Sequence, residues 1–263
     1  MIVDGHTHIH PKVDGFGSRR DASVDTLVRH LAQGPVRRAV VLAIAPEIPN
    51  NFVADACALH PESLIGFASV HPMASGAVQD YEDAIRNLGL KGLKIHPRLQ
   101  GFGLDDIDKV VPLVEKAAEL LTPVLMDAFP AGRGFFECRE LELISGLAER
   151  VPEAKIIMAH AGGYRVIEGC LVAKAYRNVF VDLSFTPYYF RGSSIVQDLA
   201  YLITKVGPDR VIHGSDYPEV SLKDGYDMTL ELLGQCGCDD SEIAAVVGGN
   251  MLSLLEGVPH EGA

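Results

Sequence analysis

Two histidines separated by a single residue, His6 and His8, are the first chemically suggestive feature of this chain. Side chains on an extended strand alternate with a period of two, so both imidazoles leave the same side and can reach one divalent cation together. Groups able to move protons or hold charge recur at the ends of later apolar runs: Lys94-Ile95-His96-Pro97-Arg98, Asp127, His160, Asp182 with Ser184, and Ser215-Asp216. A cation such as zinc brings the pKa of its bound water down to about 7. A carboxylate like Asp216 can then accept the proton as that water attacks a carbonyl, and deliver it to the leaving group. Lys94 and His96 share one face of their strand by the same period, a placement suited to a substrate carboxylate or carbonyl.

Elements must bring these residues together. Short β-rich segments are expected near 2–5, 37–44, 64–70, 91–96, 123–128, 155–160, 178–183 and 210–214. Most are continuous apolar runs, such as Val40-Val41-Leu42-Ala43-Ile44, which suit strands buried on both faces of a parallel sheet. Helical patterns lie between them: Ser23 can cap 24–33, and the stretches 106–120 and 139–149 carry apolar residues at helical spacing. Strand and helix alternate without a linker or repeat, so the expected fold is α/β, a (β/α)8 TIM barrel forming a single domain over 1–263. A doubly wound open sheet is the alternative. Barrel chemistry sits where strands enter the βα loops, and the polar residues above fall at those ends. Strand beginnings carry Arg37, Lys91, Lys155 and Arg210, read as solvated charges, while His213 alternates away from Asp216 toward the helices.

The motifs HTH at 6–8, GLKIHP at 92–97, AHAGG at 159–163, VDLS at 181–184, HGSDYP at 213–218 and GNMLSLL at 249–255 span nearly the whole chain. In these the sequence resembles the metal-dependent amidohydrolase superfamily, particularly the amidohydrolase-related (amidohydrolase 2) branch of hydrolases, lactonases, hydratases and nonoxidative decarboxylases. The resemblance implies that His6 and His8 bind a divalent cation and that Asp216 closes the site as ligand or general base. It implies that His160 binds metal or polarises the substrate. At strand five the chain departs from the family, offering Asp127 where a histidine ligand is usual. A carboxylate still binds zinc and favours harder ions such as manganese more than imidazole does, so Asp127 is expected to join His6, His8 and Asp216 as a ligand. Some superfamily members bridge two metals with a carboxylated lysine on strand four, where Lys94 stands. That arrangement needs histidines on strands five and six, and only His160 is present, so one ion is expected, zinc first and manganese second.

Aromatic residues crowd the presumed βα loops, among them Phe16, Phe102, Phe129, Phe135, Phe136, Phe185, Tyr188, Tyr189 and Phe190. Such a lid suits a small flat or ring-shaped organic acid, with Arg98, Arg133, Arg165 or Arg191 as carboxylate partner. The same clusters could instead be buried in a homo-oligomer. A net charge of −12 disfavours nucleic acid and anionic lipid as partners. Five cysteines without a CxxC pair read as reduced thiols, and no apolar stretch approaches a membrane span, so the cytoplasm is the expected location. The expected activity is hydrolysis of an amide, lactone or related ester bond in a small carboxylate-bearing metabolite. Nonoxidative decarboxylation of a small aromatic or unsaturated acid is the alternative, and a catalytically silent binding protein a third reading.

Overall fold

The eight apolar runs pair side by side in sequence order, each parallel to the next, in a sheet that curls into a nearly closed barrel. The structure is a computed structural model and describes residues 1–12, 20–131 and 139–256. Phe16, Arg133, Phe135, Phe136 and Cys138 therefore lie outside the described residues. The strands are β1 (Val3–Thr7), β2 (Arg38–Leu42), β3 (Leu64–Ser69), β4 (Leu93–Ile95), β5 (Val124–Met126), β6 (Ile156–Met158), β7 (Val179–Asp182) and β8 (Val211–Ile212). The helices that alternate with them are α1 (Val24–Gln33), α2 (Asn50–Leu59), α3 (Ala77–Arg86), α4 (Pro97–Gln100), α5 (Ile107–Glu119) and α6 (Glu140–Arg150). They continue with α7 (Val166–Ala175), α8 (Thr186–Tyr189), α9 (Ile195–Val206), α10 (Leu222–Gln235), α11 (Asp240–Ala244) and α12 (Asn250–Leu255). None of the described helices is long and apolar enough to cross a membrane.

Ser23 caps α1 as its position suggests: it is extended, and its hydroxyl accepts from the Thr26 N–H at 3.4 Å. α5 buries Val110, Leu113, Val114 and Ala117 at helical spacing against the barrel. The parallel strands bury both faces, which is why their sequences read as continuous apolar runs. On β4 and β5, Leu93, Ile95, Val124 and Met126 belong to the layer under the helices. Leu125 points inward instead, joining Val3, Val40, Leu42, Ile65, Phe67, Ile157 and Ile212 in the barrel interior. Met251 and Leu254 of α12 belong to this inner cluster and plug the N-terminal end of the barrel.

β8 and β1 meet through a seam of individual bonds rather than a ladder. Gly5 N–H donates to the His213 carbonyl at 2.8 Å, Asp216 N–H to that of His6 at 2.8 Å, and His8 N–H to that of Tyr217 at 2.7 Å. The fully buried Asp4 strengthens the seam by accepting from the backbone of Ser215 at 3.0 Å and of His6 at 3.1 Å. The register between β1 and β2 slips between Asp4 and Thr7. That slip lets Val3 fill the interior below while both His6 and His8 line the mouth above.

Candidate metal centre and active site

A cavity of about 330 Å³ opens at the C-terminal ends of the strands, and every expected site residue lines it: His6, His8, Lys94, His96, Arg98, Asp127, His160 and Asp216. Strand ordering ends just short of several of them. His96 and Asp127 follow directly on β4 and β5, and His160 follows β6 after Ala159, where the barrel flares and side chains converge over its centre.

His6 Nε2 lies 3.5 Å from Asp216 Oδ1, and His8 Nε2 lies 3.3 Å from the same oxygen. Donors each about 2.0 to 2.1 Å from a common tetrahedral zinc stand about 3.4 Å apart, so these three atoms have the spacing of ligands around one ion. The far side of His6 is fixed as a ligand requires. Its Nδ1 meets Asp182 Oδ2 at 2.6 Å and Ser184 Oγ at 3.0 Å, which leaves the Nε2 lone pair facing the cavity. Burial and the charge of Lys94 hold His6 well below the ordinary imidazole range, with Asp216 opposing, so the ring is neutral. For Asp216, burial pushes the carboxyl up, but the His8 hydrogen bond and the charges of His6, His160 and His8 outweigh it and keep it ionised. Two imidazoles and a carboxylate form a donor set that would fit zinc or manganese.

Asp127 groups differently from the expected ligand set. Its Oδ2 is 3.2 Å from His160 Nε2 and 3.4 Å from His96 Nε2, and Phe129 N–H donates to its Oδ1 at 3.3 Å. Among the described residues the close metal-capable groups are His6–His8–Asp216 and His6–His160–Asp182, and Asp127 belongs to neither. Burial would raise the Asp127 carboxyl, yet His96, His160 and Lys94 hold it well below the usual range. Burial would likewise strip the proton from His160, but the Asp127 hydrogen bond and the charges of Asp216, Asp127 and Asp182 raise its pKa. His96 is pushed down to about 3 by burial, against the pull of Asp127. The cavity thus pairs His160 with an ionised Asp127 beside His6 and His8. Lys94 is 1% exposed, and its Nζ has no hydrogen-bond partner among the described residues. Burial lowers its pKa, opposed by Asp127, Asp216 and Asp182.

The backbone around the site is unusual. Asp216 (φ 66°), Phe185 (φ 61°), His160 (φ 59°) and Ala161 (φ 50°) all occupy the left-handed region, which costs a non-glycine residue of order 1 kcal/mol or more. The turn continues through Gly162 and Gly163, which adopt that conformation without a Cβ penalty. Gly214 is needed for space instead: a Cβ there would sit 2.7 Å from Asp182 Oδ1 and 2.9 Å from His6 Cβ.

Phe129, Phe185 and Tyr189 form an aromatic wall of the cavity, with Phe129 and Phe185 ring centroids 5.2 Å apart. Arg98 lines the cavity, whereas Arg165 is engaged by Glu142 and Glu168 and Arg191 faces clefts beside α10. His213 packs toward α10, its Nδ1 2.9 Å from Thr229 Oγ1. The orienting role of Asp182 and Ser184 and the spacing role of Gly214 were not legible beforehand. The only trace was the period-two placement of Asp182 and Ser184 in VDLS.

Residues 3–255 match the family model described as amidohydrolase. The chain is 26% identical over 199 residues to the 2-amino-3-carboxymuconate-6-semialdehyde decarboxylase of Dictyostelium discoideum, 64% of this chain and 55% of the relative. It thus spans about half the length of that curated relative. Among solved structures it is similar to an amidohydrolase from Burkholderia multivorans with bound zinc, with TM-score 0.76, 17% identity and coverage of 98% and 100% of the two chains. It is also similar to a probable 2-pyrone-4,6-dicarboxylic acid hydrolase from Acinetobacter baumannii with citric acid bound, with TM-score 0.72, 16% identity and coverage of 97% and 98%. At these identities the likeness establishes the barrel fold.

Proposed function

The chain belongs to the amidohydrolase family, and we propose that it is a metal-dependent hydrolase of an amide, lactone or related ester bond in a small carboxylate-bearing molecule. The observation that carries this reading is the meeting of His6 Nε2, His8 Nε2 and Asp216 Oδ1 in the same cavity as the Lys94 amino group, which has no hydrogen-bond partner among the described residues. His6, His8 and Asp216 would hold one divalent ion, zinc by preference. When bound, that ion supplies Lewis acidity, which makes water a better nucleophile near neutral pH and draws electron density from a carbonyl oxygen.

The chain's own groups do the rest. Lys94 and Arg98 take the substrate's carboxylate, and the aromatic wall packs against its body. The ionised Asp216 accepts a proton from the attacking water and returns it to the leaving group. His160, whose pKa Asp127 raises and whose Nδ1 faces the Ser184 carbonyl, would share its Nε2 proton between Asp127 and the oxygen on which negative charge develops. The partner in this reading is a small molecule in the cytoplasm, with no role for nucleic acid or membrane.

A second reading, nonoxidative decarboxylation, is favoured by the curated relative, itself a decarboxylase, and by His160, whose raised pKa suits it to protonate the carbon that loses its carboxylate. One experiment separates the two. The metal-loaded protein is offered a panel of lactones, amides and aromatic carboxylic acids in ¹⁸O-labelled water. Hydrolysis places the label in the product acid without gas release, whereas decarboxylation yields carbon dioxide and a product one carboxylate shorter. Neither outcome across a broad panel, despite bound metal, would remove both readings.

A further inference from the structure

A larger cavity, about 450 Å³ against about 330 Å³ at the mouth, lies at the opposite end of the barrel. Its walls come from the starts of β2, β3 and β4 and from α2 and α12, with Ala54, Ile65, Leu252 and Leu255 supplying apolar surface. Arg38, the first residue of β2, reaches into it.

Three arginines stand at strand beginnings, and the terminal guanidinium nitrogens of two of them donate to backbone carbonyls. The exposed Arg37 donates to the Ala32 carbonyl, and Arg210 donates to the carbonyls of Ala173, Tyr176, Val179 and Val206. Arg38 is half-buried, its Nε is enclosed without a partner, and its guanidinium makes no ion pair among the described residues. No described acidic, hydroxyl or amide side chain lines the cavity. The enclosed Nε without a hydrogen bond is costly, and the planar guanidinium fork matches a carboxylate. Lys91 adds positive charge on the same wall. Burial pushes the thiol of Cys57 up to about 12, and no described carboxylate or histidine accompanies it, so the lining suits binding.

We infer that this N-terminal cavity is a second small-molecule site, independent of the metal centre, which binds an organic monocarboxylate with its anionic end on Arg38 and its apolar body against α2 and α12.

The test uses 1-naphthoate as probe, titrated fluorimetrically into the full chain, which contains no tryptophan to mask the signal. Saturable binding is expected. Arg38→Gln should weaken it at least about tenfold, the cost of a lost charge-assisted pair. Ala54→Leu, which fills the cavity from α2, should weaken it similarly while unfolding at an undiminished temperature, so that loss of fold and loss of site are told apart. Uncharged naphthalene should bind more weakly than naphthoate to the parent protein. Binding in Lys94→Gln should persist, because that variant alters only the mouth. The inference is overturned if Arg38→Gln binds as tightly as the parent, if Lys94→Gln alone abolishes binding, or if the parent shows no saturable binding.

Discussion

At the scale of single residues, the metal set and its support make separable demands. His6→Ala and His8→Ala should each purify with little of the parent's metal, measured by plasma mass spectrometry, while thermal unfolding stays cooperative, because the core does not rest on these rings. Unchanged metal in both would refute the site. Asp216→Asn should lower turnover by about a hundredfold or more. Asp182 is fully buried outside the cavity lining, yet it holds His6 Nδ1 at 2.6 Å. Asp182→Asn should therefore weaken metal affinity by about ten- to a hundredfold in a chelator competition, with the fold intact. Asp127 is the discriminating position. If it serves His160, Asp127→Asn lowers the His160 pKa, observable by imidazole nitrogen NMR on the metal-free protein, and leaves metal content unchanged. Loss of metal in that variant would restore Asp127 to the ligand set.

At the scale of elements, the loops leaving β6 and β8 carry the site, and glycine spacing sets how closely they approach. Gly214 has no left-handed requirement, so Gly214→Ala changes space alone: its new Cβ meets the carboxylate of Asp182 at 2.7 Å. This variant should fold and lose metal affinity about as much as Asp182→Asn, since both dislodge the same support. Parental affinity in Gly214→Ala would show that Asp182 is free to move without consequence. Helix capping is the contrasting case. Ser23→Ala should cost about 1 kcal/mol of stability by chemical denaturation and leave metal affinity alone, because the cap supports α1 and touches none of the residues that would bind the ion.

For the whole molecule, closure of the barrel buries titratable groups along the β1–β8 seam, and stability follows their protonation. Burial pushes His213 down to about 4 from its ordinary 6.5. Its neutral form is the one the fold accepts, so that contribution is present above pH 6.5 and lost as pH falls toward 4. Asp4 is pushed by burial up to about 7, against hydrogen bonds from Ser215 and His6. Its contribution runs the other way, full below about pH 3.8 and lost as pH rises through 7. Urea denaturation of His213→Gln across pH should show a flatter acid limb between 6.5 and 4, by on the order of 2–3 kcal/mol. Profiles parallel to the parent's would mean that His213 is solvated or charged in the fold.

Much of this organisation was readable in the linear chain because it is local. The strand runs, the Ser23 cap and the HTH spacing depend on periodicity within a few residues, and all eight strands fall where apolar runs placed them, seven of them shorter than expected and β1 running on to Thr7. Barrel topology then gathers strand ends by rule, which is why Lys94, His96, Asp127, His160 and Asp216 could be named from the linear chain alone. What the sequence could not determine is which neighbour each side chain takes. Asp182 meets His6 across 176 positions of chain, and Asp127 turns to His160 and His96 rather than to the His6–His8 pair. Arg210, read as a solvated charge at a strand beginning, is instead buried and donates to four backbone carbonyls. Such pairings depend on how the strands tilt and how the seam shuts, and a difference of an ångström or two decides a hydrogen bond without leaving any trace in residue order.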